Sequence, residues 1–293
     1  MSADATRKIS ADRDGIWRWR LVQWSDRTSW LDTLTQWLEP WLAPDALATL
    51  SGMGEQDLCW DDFEWLDILG TTLAEAPLES VVDALASALD PVVLRVYHGC
   101  RVADAGVFHR EGLKINSPEA LAEDVRRIVA EESDLAWLRP TIESRLVAFE
   151  HRDRDTGLSY VGVDHRALIE EAGHYALYGS EWILSFFGFG AHDILRRRGV
   201  PTIVEIDLPC RYMSPASRAE FGRQLLQEWT RVQVNRPDWL PVIDFTVILH
   251  VDLPPETIVG HLHPAAVIDP LYQRVRRITA ATHCPHCRDA YKA

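Results

Sequence analysis

The sequence predicts an α+β protein in which a small, Trp-rich helical domain precedes a larger domain of mixed strands and helices. The 293-residue chain is 47% apolar and 25% charged, an ordinary globular composition. Residues 1–90 hold 17 Asp+Glu and 6 Lys+Arg, against 27 and 24 in residues 91–293, and eight of the twelve tryptophans precede residue 66. We therefore predict an acidic helical module over 1–90, a second domain over 91–265 and a C-terminal tail over 266–293.

Three helices are predicted in the acidic module, over residues 30–41, 60–69 and 78–89. In the first of them Trp and Leu residues recur at helical spacing, and Ser29 is placed to act as its N-cap. The simplest interpretation is a small core with a solvated acidic face. The alternative is a docking or autoinhibitory module whose negative charge covers a basic groove, and as a docking module it would bind a partner protein.

The second domain mixes strands and helices in an irregular order, which favours α+β over a regularly alternating parallel sheet. Ser117-Pro118 and Ser214-Pro215 each predict the start of a helix, and one long helix is expected from Asp164 to Gly179. Short apolar or β-branched runs predict the strands. These strands are expected over 92–97, 146–149, 158–163, 202–208 and 245–251.

Several functional classes lack their signatures in this sequence. It contains no Rossmann fingerprint, P-loop, nucleophile elbow or HExxH motif. No run of about 18 apolar residues predicts a membrane span, and the polar N-terminus leads us to expect a cytoplasmic protein. The net charge of −14 argues against duplex nucleic acid as the main partner. Five widely spread cysteines do not suggest a disulfide scaffold.

One group of motifs carries recognisable chemistry. The strand predicted over 92–97 leads into Tyr97-His98-Gly99-Cys100-Arg101. A glycine lets a ligand approach the backbone closely, and the adjacent imidazole can donate or accept a hydrogen bond. Such a site suits a ligand with a carboxamide and ribose hydroxyls. A Gly112-Leu113 turn follows, then Tyr160 on a predicted strand, and Tyr175 and Tyr178 on the next predicted helix.

This ordered set resembles the His-Tyr-Glu branch of the ADP-ribosyltransferase superfamily, which includes diphtheria-type toxins, poly(ADP-ribose) polymerases, rifampin-modifying enzymes and tRNA 2′-phosphotransferases. The similarity covers about residues 92–265, with Cys100 where the family usually has Thr or Ser. It implies an ADP-ribosyltransferase-like split β-sheet that binds NAD in a cleft. The implied activity is that of a glycosyltransferase: the enzyme would cleave the nicotinamide glycosidic bond of NAD and transfer ADP-ribose to a macromolecular acceptor.

The resemblance also implies roles for individual residues. His98 would hydrogen-bond the adenosine ribose, the Gly99 backbone would bind the carboxamide, and Tyr175 or Tyr178 would stack on the nicotinamide ring. A carboxylate would support the oxocarbenium-like transition state. Its identity stays open among Glu256, Glu181 and Glu205, and a branch of the family that lacks this carboxylate is the further alternative. The implied NAD-binding residues are Tyr97, His98, Gly99, Arg101 and Tyr160.

Other functions on the same fold are left open. They are NAD glycohydrolysis, RNA 2′-phosphate transfer, and a non-catalytic module that binds NAD, ADP-ribose or a protein partner. For a transferase, the acceptor could be a protein or a nucleic acid, and the toxin-like relatives are compatible with a bacterial toxin or an antiviral defence effector. A carboxylate within reach of the nicotinamide ribose is the feature that favours catalysis over binding alone.

The C-terminal tail holds a second group of chemistry-bearing residues, His283-Cys284-Pro285-His286-Cys287, with His261 and His263 upstream. A Cys-x2-Cys pair with nearby histidines supplies enough ligands for tetrahedral zinc. Cys284, Cys287, His261 and His263 are the predicted metal ligands. A tail that coordinates no metal is the alternative.

Overall fold

The computed structural model describes residues 14–18, 20–150, 157–235, 245–279 and 284–290, and it contains both helices and sheets. The α-helices are α1 Leu31–Leu38, α2 Ala46–Gly52, α3 Glu64–Thr72, α4 Leu78–Ala88, α5 Gly106–Glu111, α6 Pro118–Glu131, α7 Ile142–Glu150, α8 His165–Glu170, α9 His174–Tyr178, α10 Glu181–Phe187, α11 His192–Arg197, α12 Pro215–Asn235 and α13 Pro285–Ala290. The strands are β1 Leu21–Val22, β2 Val93–Val102, β3 Ser159–Gly162, β4 Val200–Pro209, β5 Thr246–Leu249, β6 Ile258–Leu262, β7 Ala266–Asp269 and β8 Val275–Ile278. Short 3-10 helices occur at Asp14–Trp17, Arg27–Ser29, Glu39–Trp41, Ser133–Thr141, Phe189–Ala191, Cys210–Tyr212 and Pro255–Thr257.

The chain forms two compact units whose limits differ from the predicted domains. The first unit comprises Met1–Arg95 and Leu208–Pro241, and the second comprises Val96–Asp207 and Val242–Ala293. The chain passes from the first unit to the second within β2, and α12, predicted inside the second domain, belongs to the first unit. The segment predicted as a tail contributes β7, β8 and α13 to the second unit. No helix within the described ranges is long and apolar enough to span a bilayer.

The first unit is built around α12. This helix packs against α1 to α4, and its Phe221, Leu225 and Trp229 are fully buried. Their four-residue spacing places them on one stripe, which needs apolar partners to cover it, and the Trp-rich helices supply them. Burial of this stripe explains why α12 joins the acidic module. Five more tryptophans, each 3% exposed or less, complete this core: Trp17, Trp24, Trp30, Trp37 and Trp65.

The second unit contains most of a sheet with strand order β5-β3-β2-β4-β6. The short β1 pairs parallel with the start of β2, and this part of the sheet belongs to the first unit. Strands β2 and β3 pair antiparallel with Tyr97 opposite Gly162, and β3 and β5 are also antiparallel. Strands β4 and β6 pair antiparallel with a shift of register between Glu205 and Ile206. A separate two-stranded antiparallel sheet joins β7 to β8. The structure is thus α+β, as predicted.

Four local predictions need correction. The predicted strand over 146–149 lies within α7, where Phe149 packs on Trp182 at 5.2 Å between ring centroids. A short apolar run fits either structure, and here helical packing prevails. The helix expected over 60–69 begins only at Glu64, after Phe63 in the left-handed region (φ 58°). Ser29 does not cap α1; its hydroxyl accepts from the Gln23 N–H and donates to backbone carbonyls.

The fourth correction concerns the long helix predicted from Asp164 to Gly179, which is broken into α8 and α9. Gly173 separates them: a Cβ there would lie 2.0 Å from the Ile268 carbonyl oxygen, so only glycine permits this close approach. Gly179 ends α9 at φ +86°, a conformation that glycine adopts without strain. The two glycines turn the chain so that α10 begins beside α9.

Candidate functional site

A cleft of about 1250 Å³ opens at the end of β2 in the second unit. Its walls come from β2, β3, α5, α6 and the successive short helices α8 to α10. The breaks at Gly173 and Gly179 place the start of α10 on the same wall as α9. Most of the predicted site residues line this cleft: His98, Gly99, Arg101, Tyr160, Tyr175, Tyr178 and Glu181.

His98 lies on β2 with its imidazole fixed by the neighbouring strand. Its Nδ1 is 3.0 Å from the Tyr160 carbonyl oxygen, so Nδ1–H donates to that carbonyl and Nε2 remains an acceptor. Burial lowers the pKa of His98 below the ordinary imidazole value. The ring is therefore neutral at pH 7, and its Nε2 can accept a hydrogen bond from a ligand hydroxyl. Phe108 holds the ring edge-on, with 6.3 Å between centroids.

Gly99 allows α9 to pack directly onto β2. A Cβ at this position would lie 3.2 Å from the Tyr175 Cβ and 3.4 Å from Leu168 Cδ2, closer than packed side chains normally come. The backbone of Gly99 consequently lies beneath Tyr175 in the cleft. The adjacent Cys100 also lines the cleft, and burial raises the pKa of its thiol to about 12. This thiol stays protonated at neutral pH and is a poor nucleophile.

Glu181 is the candidate carboxylate that the structure brings into the cleft. It opens α10, where the Ser180 hydroxyl accepts from the Trp182 N–H as the N-cap. Its Oε1 lies 2.8 Å from His174 Nε2. The hydrogen bond from His174 is the main cause that holds the pKa of Glu181 below its usual value, and a hydrogen bond from Tyr175 adds to it. The carboxylate is thus ionised and oriented beside an aromatic side chain.

Glu205 and Glu256 lie outside this cleft. Glu205 is on β4 opposite Gly260 of β6, and its Oε2 would be 2.6 Å from a Cβ at Gly260. Its side chain therefore covers the neighbouring strand. Glu256 is exposed in the 3-10 helix Pro255–Thr257. Of the three carboxylates weighed from the sequence, only Glu181 lines the cleft.

Tyr97 and Arg101, both predicted to bind NAD, mainly make contacts within the protein. Tyr97 is 2% exposed, does not line the cleft, and packs against His165 at 5.2 Å between ring centroids. Arg101 lines the cleft, but its guanidinium donates to three backbone carbonyls, those of Ala176 at 3.1 Å, Arg198 at 2.6 Å and Arg196. Burial lowers the pKa of Arg101 to about 10. These hydrogen bonds connect α9 to the C-terminal end of α11.

Tyr178 differs from Tyr175 in what its hydroxyl contacts. The Tyr178 hydroxyl donates to the buried Asp269 Oδ2 at 2.6 Å, and its ring lies 4.6 Å from that of His192. Burial, followed by the hydrogen bond to Asp269, raises the pKa of Tyr178 well above its usual value. Tyr175, by contrast, is half-buried, covers Gly99 and contributes a hydrogen bond to Glu181. The geometry therefore favours Tyr175 as the ligand-facing tyrosine.

No family model, curated protein or solved structure matches this chain. Functional arguments therefore rest on the residues themselves. The sequence analysis missed His174, which orients Glu181; its only signal was its position directly before Tyr175. It also missed His109 on α5, whose Nε2 lies 3.0 Å from His261 Nδ1. Nothing in the spacing of His109 and His261 along the chain indicates that they meet.

A Cys/His cluster forms a second candidate site. Each of the four predicted metal ligands, His261, His263, Cys284 and Cys287, offers one ligand atom, and these atoms all lie within 4.8 Å of one another. Burial, then the neighbouring imidazoles of His263, His109 and His286, lowers the pKa of His261 to about 4. This histidine is neutral at pH 7, as a metal ligand must be. His283, which directly precedes Cys284, lies outside the described residues.

Proposed function

We propose that this protein is an NAD-dependent ADP-ribosyltransferase, which cleaves the nicotinamide glycosidic bond and transfers ADP-ribose to a macromolecular acceptor. The observation that carries the proposal is the convergence of His98, Tyr175 and Glu181 on one cleft. These residues come from β2, α9 and α10, and they supply a neutral imidazole, an aromatic ring and an ionised carboxylate. These are the three kinds of group that the family resemblance implies for NAD cleavage.

The chemistry asks mainly for positioning and electrostatic support. As the bond between C1′ and the nicotinamide nitrogen breaks, its electron pair passes to the ring nitrogen, and neutral nicotinamide leaves. Positive charge then develops on the ribose, and the Glu181 carboxylate stabilises it. The acceptor attacks C1′ and loses a proton to Glu181 or to water. His174, hydrogen-bonded to Glu181 at 2.8 Å, is a positioning residue that fixes the carboxylate.

The other groups would bind the substrate. His98 Nε2 can accept from a ribose hydroxyl because Nδ1–H is occupied by the Tyr160 carbonyl. Tyr175 offers an aromatic face to the cationic nicotinamide ring, a favourable cation–π arrangement. Gly99 lies directly beneath Tyr175 in the cleft wall, and the family resemblance implies that its backbone binds the carboxamide. The three roles are those that the family resemblance implies, and the positions of these residues are compatible with them.

The charge of the cleft favours NAD over a long polyanion. The described lining residues include six acidic and six basic side chains, so they give no positive excess. An RNA substrate would favour clustered, unpaired Lys and Arg. Most of the basic residues are instead paired, for example Arg198 with Glu132 at 2.6 Å and Lys114 with Asp252 at 3.2 Å. We therefore rank RNA 2′-phosphate transfer below NAD cleavage.

NAD glycohydrolysis is the second candidate, and one observation favours it. The side chain of Glu181 is 52% exposed, so water can reach the ribose carbon that a macromolecular acceptor would attack. A glycohydrolase and a transferase share the bond-breaking step and differ only in the nucleophile. Free ADP-ribose as the sole labelled product would identify the glycohydrolase.

The test is nicotinamide release from adenine-labelled NAD, with cell lysate as the source of acceptors. Glu181→Gln should lower release by about 100-fold or more, because the developing charge loses its counterion. Glu256→Gln is the matched control and should leave release unchanged, since Glu256 lies outside the cleft. His98→Ala should also lose release, whereas His250→Ala, an exposed histidine, should not.

Label that becomes covalently attached to lysate macromolecules identifies the transferase. Absence of release from the folded wild-type protein, assayed with zinc added, would overturn NAD cleavage, and NAD binding without release would indicate a non-catalytic binding module. Equal losses in Glu181→Gln and Glu256→Gln would overturn the assignment of the carboxylate. Circular dichroism of each variant confirms that a loss of release is not a loss of folding.

A further inference from the structure

The Cys/His cluster has the dimensions of a tetrahedral metal site. The two sulfurs, of Cys284 and Cys287, are 3.9 Å apart. His261 Nε2 lies 3.8 Å from Cys284 Sγ and 3.0 Å from Cys287 Sγ, and His263 Nε2 lies 3.5 Å from Cys287 Sγ. Tetrahedral zinc with ordinary bond lengths separates two sulfurs by about 3.8 Å and a sulfur from a nitrogen by about 3.6 Å. The sulfur–sulfur spacing and two of the three sulfur–nitrogen spacings agree with these values, and the spacing of His261 Nε2 and Cys287 Sγ, 3.0 Å, is shorter.

Both imidazoles already present the correct nitrogen. His263 donates Nδ1–H to the Pro201 carbonyl at 2.8 Å, which leaves Nε2 unprotonated and directed at Cys287. His261 has Nδ1 3.0 Å from His109 Nε2, so it can donate there while its own Nε2 faces both sulfurs. A ligating histidine in proteins almost always donates its other N–H to such a partner. These hydrogen bonds fix the two tautomers that metal binding needs.

We propose that His261, His263, Cys284 and Cys287 bind one structural Zn²⁺ ion. Two thiolates and two imidazoles in a tetrahedral arrangement are the ligand set that zinc favours, and two thiolates neutralise its charge. Four protein ligands leave no open position for water or substrate, so the ion has a structural role and no direct part in catalysis. This site is separate from the cleft residues to which we assign NAD cleavage.

The ion would fasten the C-terminal helix to the sheet. His261 is on β6 and His263 directly follows that strand, whereas Cys284 precedes α13 and Cys287 lies within it. The sheet thus supplies two ligands and the region of α13 supplies the other two, and about 20 residues of sequence separate the two pairs. A helix of six residues is too short to be stable alone, so a bond to the sheet gives it a fixed position.

The site also reaches α5, which carries residues of the cleft wall. His109 of α5 hydrogen-bonds His261 and stacks on His286 of α13 at 4.8 Å between ring centroids. The His286 backbone N–H donates to Asp104 Oδ1 at 3.2 Å. A Cβ at Gly106 would come within 3.0 Å of His286 Nδ1, so the helices meet closely. The ion would thus hold α13 against α5.

The test is the metal content of the untagged, full-length chain, measured by elemental analysis after growth with added zinc and gel filtration. We expect one zinc per chain in the wild type. Cys287→Ser should lose this zinc. Cys59→Ser, which removes an exposed thiol in the first unit, should keep it. His286→Gln is the closer control, because this imidazole borders the site but is not one of the four ligands.

A second measurement covers variants that fail to fold. Wild-type protein stripped with a chelator and refilled with Co²⁺ should show the strong visible absorption of a tetrahedral ion with thiolate ligands. A wild type that binds no zinc, a weak octahedral Co²⁺ spectrum, or equal zinc loss in Cys59→Ser would overturn the proposal. None of these readouts uses NAD, so the metal site and the proposed activity can fail independently.

Discussion

Replacing Tyr178 with phenylalanine tests which of two tyrosines, Tyr175 or Tyr178, faces the ligand, a choice that the sequence leaves open. The change removes one hydroxyl and its 2.6 Å hydrogen bond to Asp269. It keeps the ring that packs on His192. Asp269 is fully buried and retains two donors, Arg277 Nε at 3.1 Å and the Leu271 N–H at 3.2 Å. The Asp269 carboxylate thus loses one of these three hydrogen-bond donors and keeps the other two.

The expected cost follows from these contacts. A hydrogen bond to a charged acceptor contributes about 1.5–3 kcal/mol, and the cost falls in the lower half of this range because two donors to Asp269 remain. We expect the free energy of unfolding to fall by about 2 kcal/mol, which lowers the ratio of folded to unfolded molecules about 30-fold. Nicotinamide release per folded molecule should stay within about twofold of the wild type, since the Tyr178 hydroxyl contacts no proposed catalytic group.

Urea denaturation gives the first quantity and nicotinamide release in the absence of urea gives the second. Tyr175→Ala is the companion variant, and it should lower release at least about 10-fold through loss of the ring over the nicotinamide. An opposite result would refute the assignment: loss of release in Tyr178→Phe with an unchanged free energy of unfolding would make Tyr178 the ligand-facing tyrosine.

Three further outcomes are expected. Glu228→Gln should lower the free energy of unfolding by about 3 kcal/mol in urea denaturation, because this fully buried carboxylate is paired with two arginines at 2.7 and 2.9 Å; Glu79→Gln, in an exposed pair, should cost less than about 1 kcal/mol. Gly173→Ala should destabilise by about 3 kcal/mol or prevent folding, whereas Gly190→Ala, where a Cβ meets no atom within 4 Å, should change little in the same assay. Nicotinamide release should be constant from pH 7 to 8 and fall only below about pH 6.5, because burial lowers the pKa of His98 and its protonation removes the Nε2 acceptor; a fall already centred above that value would contradict this role for His98.

Sequence patterns located the elements that carry strong local signals. Ser117-Pro118 predicted the start of α6, and the Ser117 hydroxyl accepts from the Ala120 N–H as a cap should. The α+β class also followed from the order of strands and helices. The helix α7 was missed because its apolar residues form a short run that fits a strand equally well. The break between α8 and α9 was missed although Gly173 is visible in the sequence, because its close partner, the Ile268 carbonyl, is almost 100 residues away.

The candidate site could be predicted in its parts but not in its arrangement. The motif order selected His98, Gly99 and Tyr175, and the structure brings them together. The choice among three carboxylates depended on a turn, since Gly179 and the Ser180 cap direct Glu181 into the cleft while Glu256 stays exposed. A turn of this kind leaves no periodic pattern in the sequence, so the sequence did not predict which carboxylate lines the cleft. The sequence also did not predict the unit to which α12 belongs. The apolar stripe of α12 indicates that the helix needs an apolar partner but does not identify that partner.

The helix α5 lies between the cleft and the Cys/His cluster and has contacts with both. Phe108 and Arg110 line the cleft, and His109 between them hydrogen-bonds His261. A protein that lacks its zinc would lose the fixed position of His261, and α5 could then shift the cleft wall without any change at Glu181. An inactive preparation would be read as a failure of the NAD proposal when the cause is an empty metal site. Metal content must therefore be measured on the same preparation, and only zinc-loaded protein that releases no nicotinamide counts against the proposed activity.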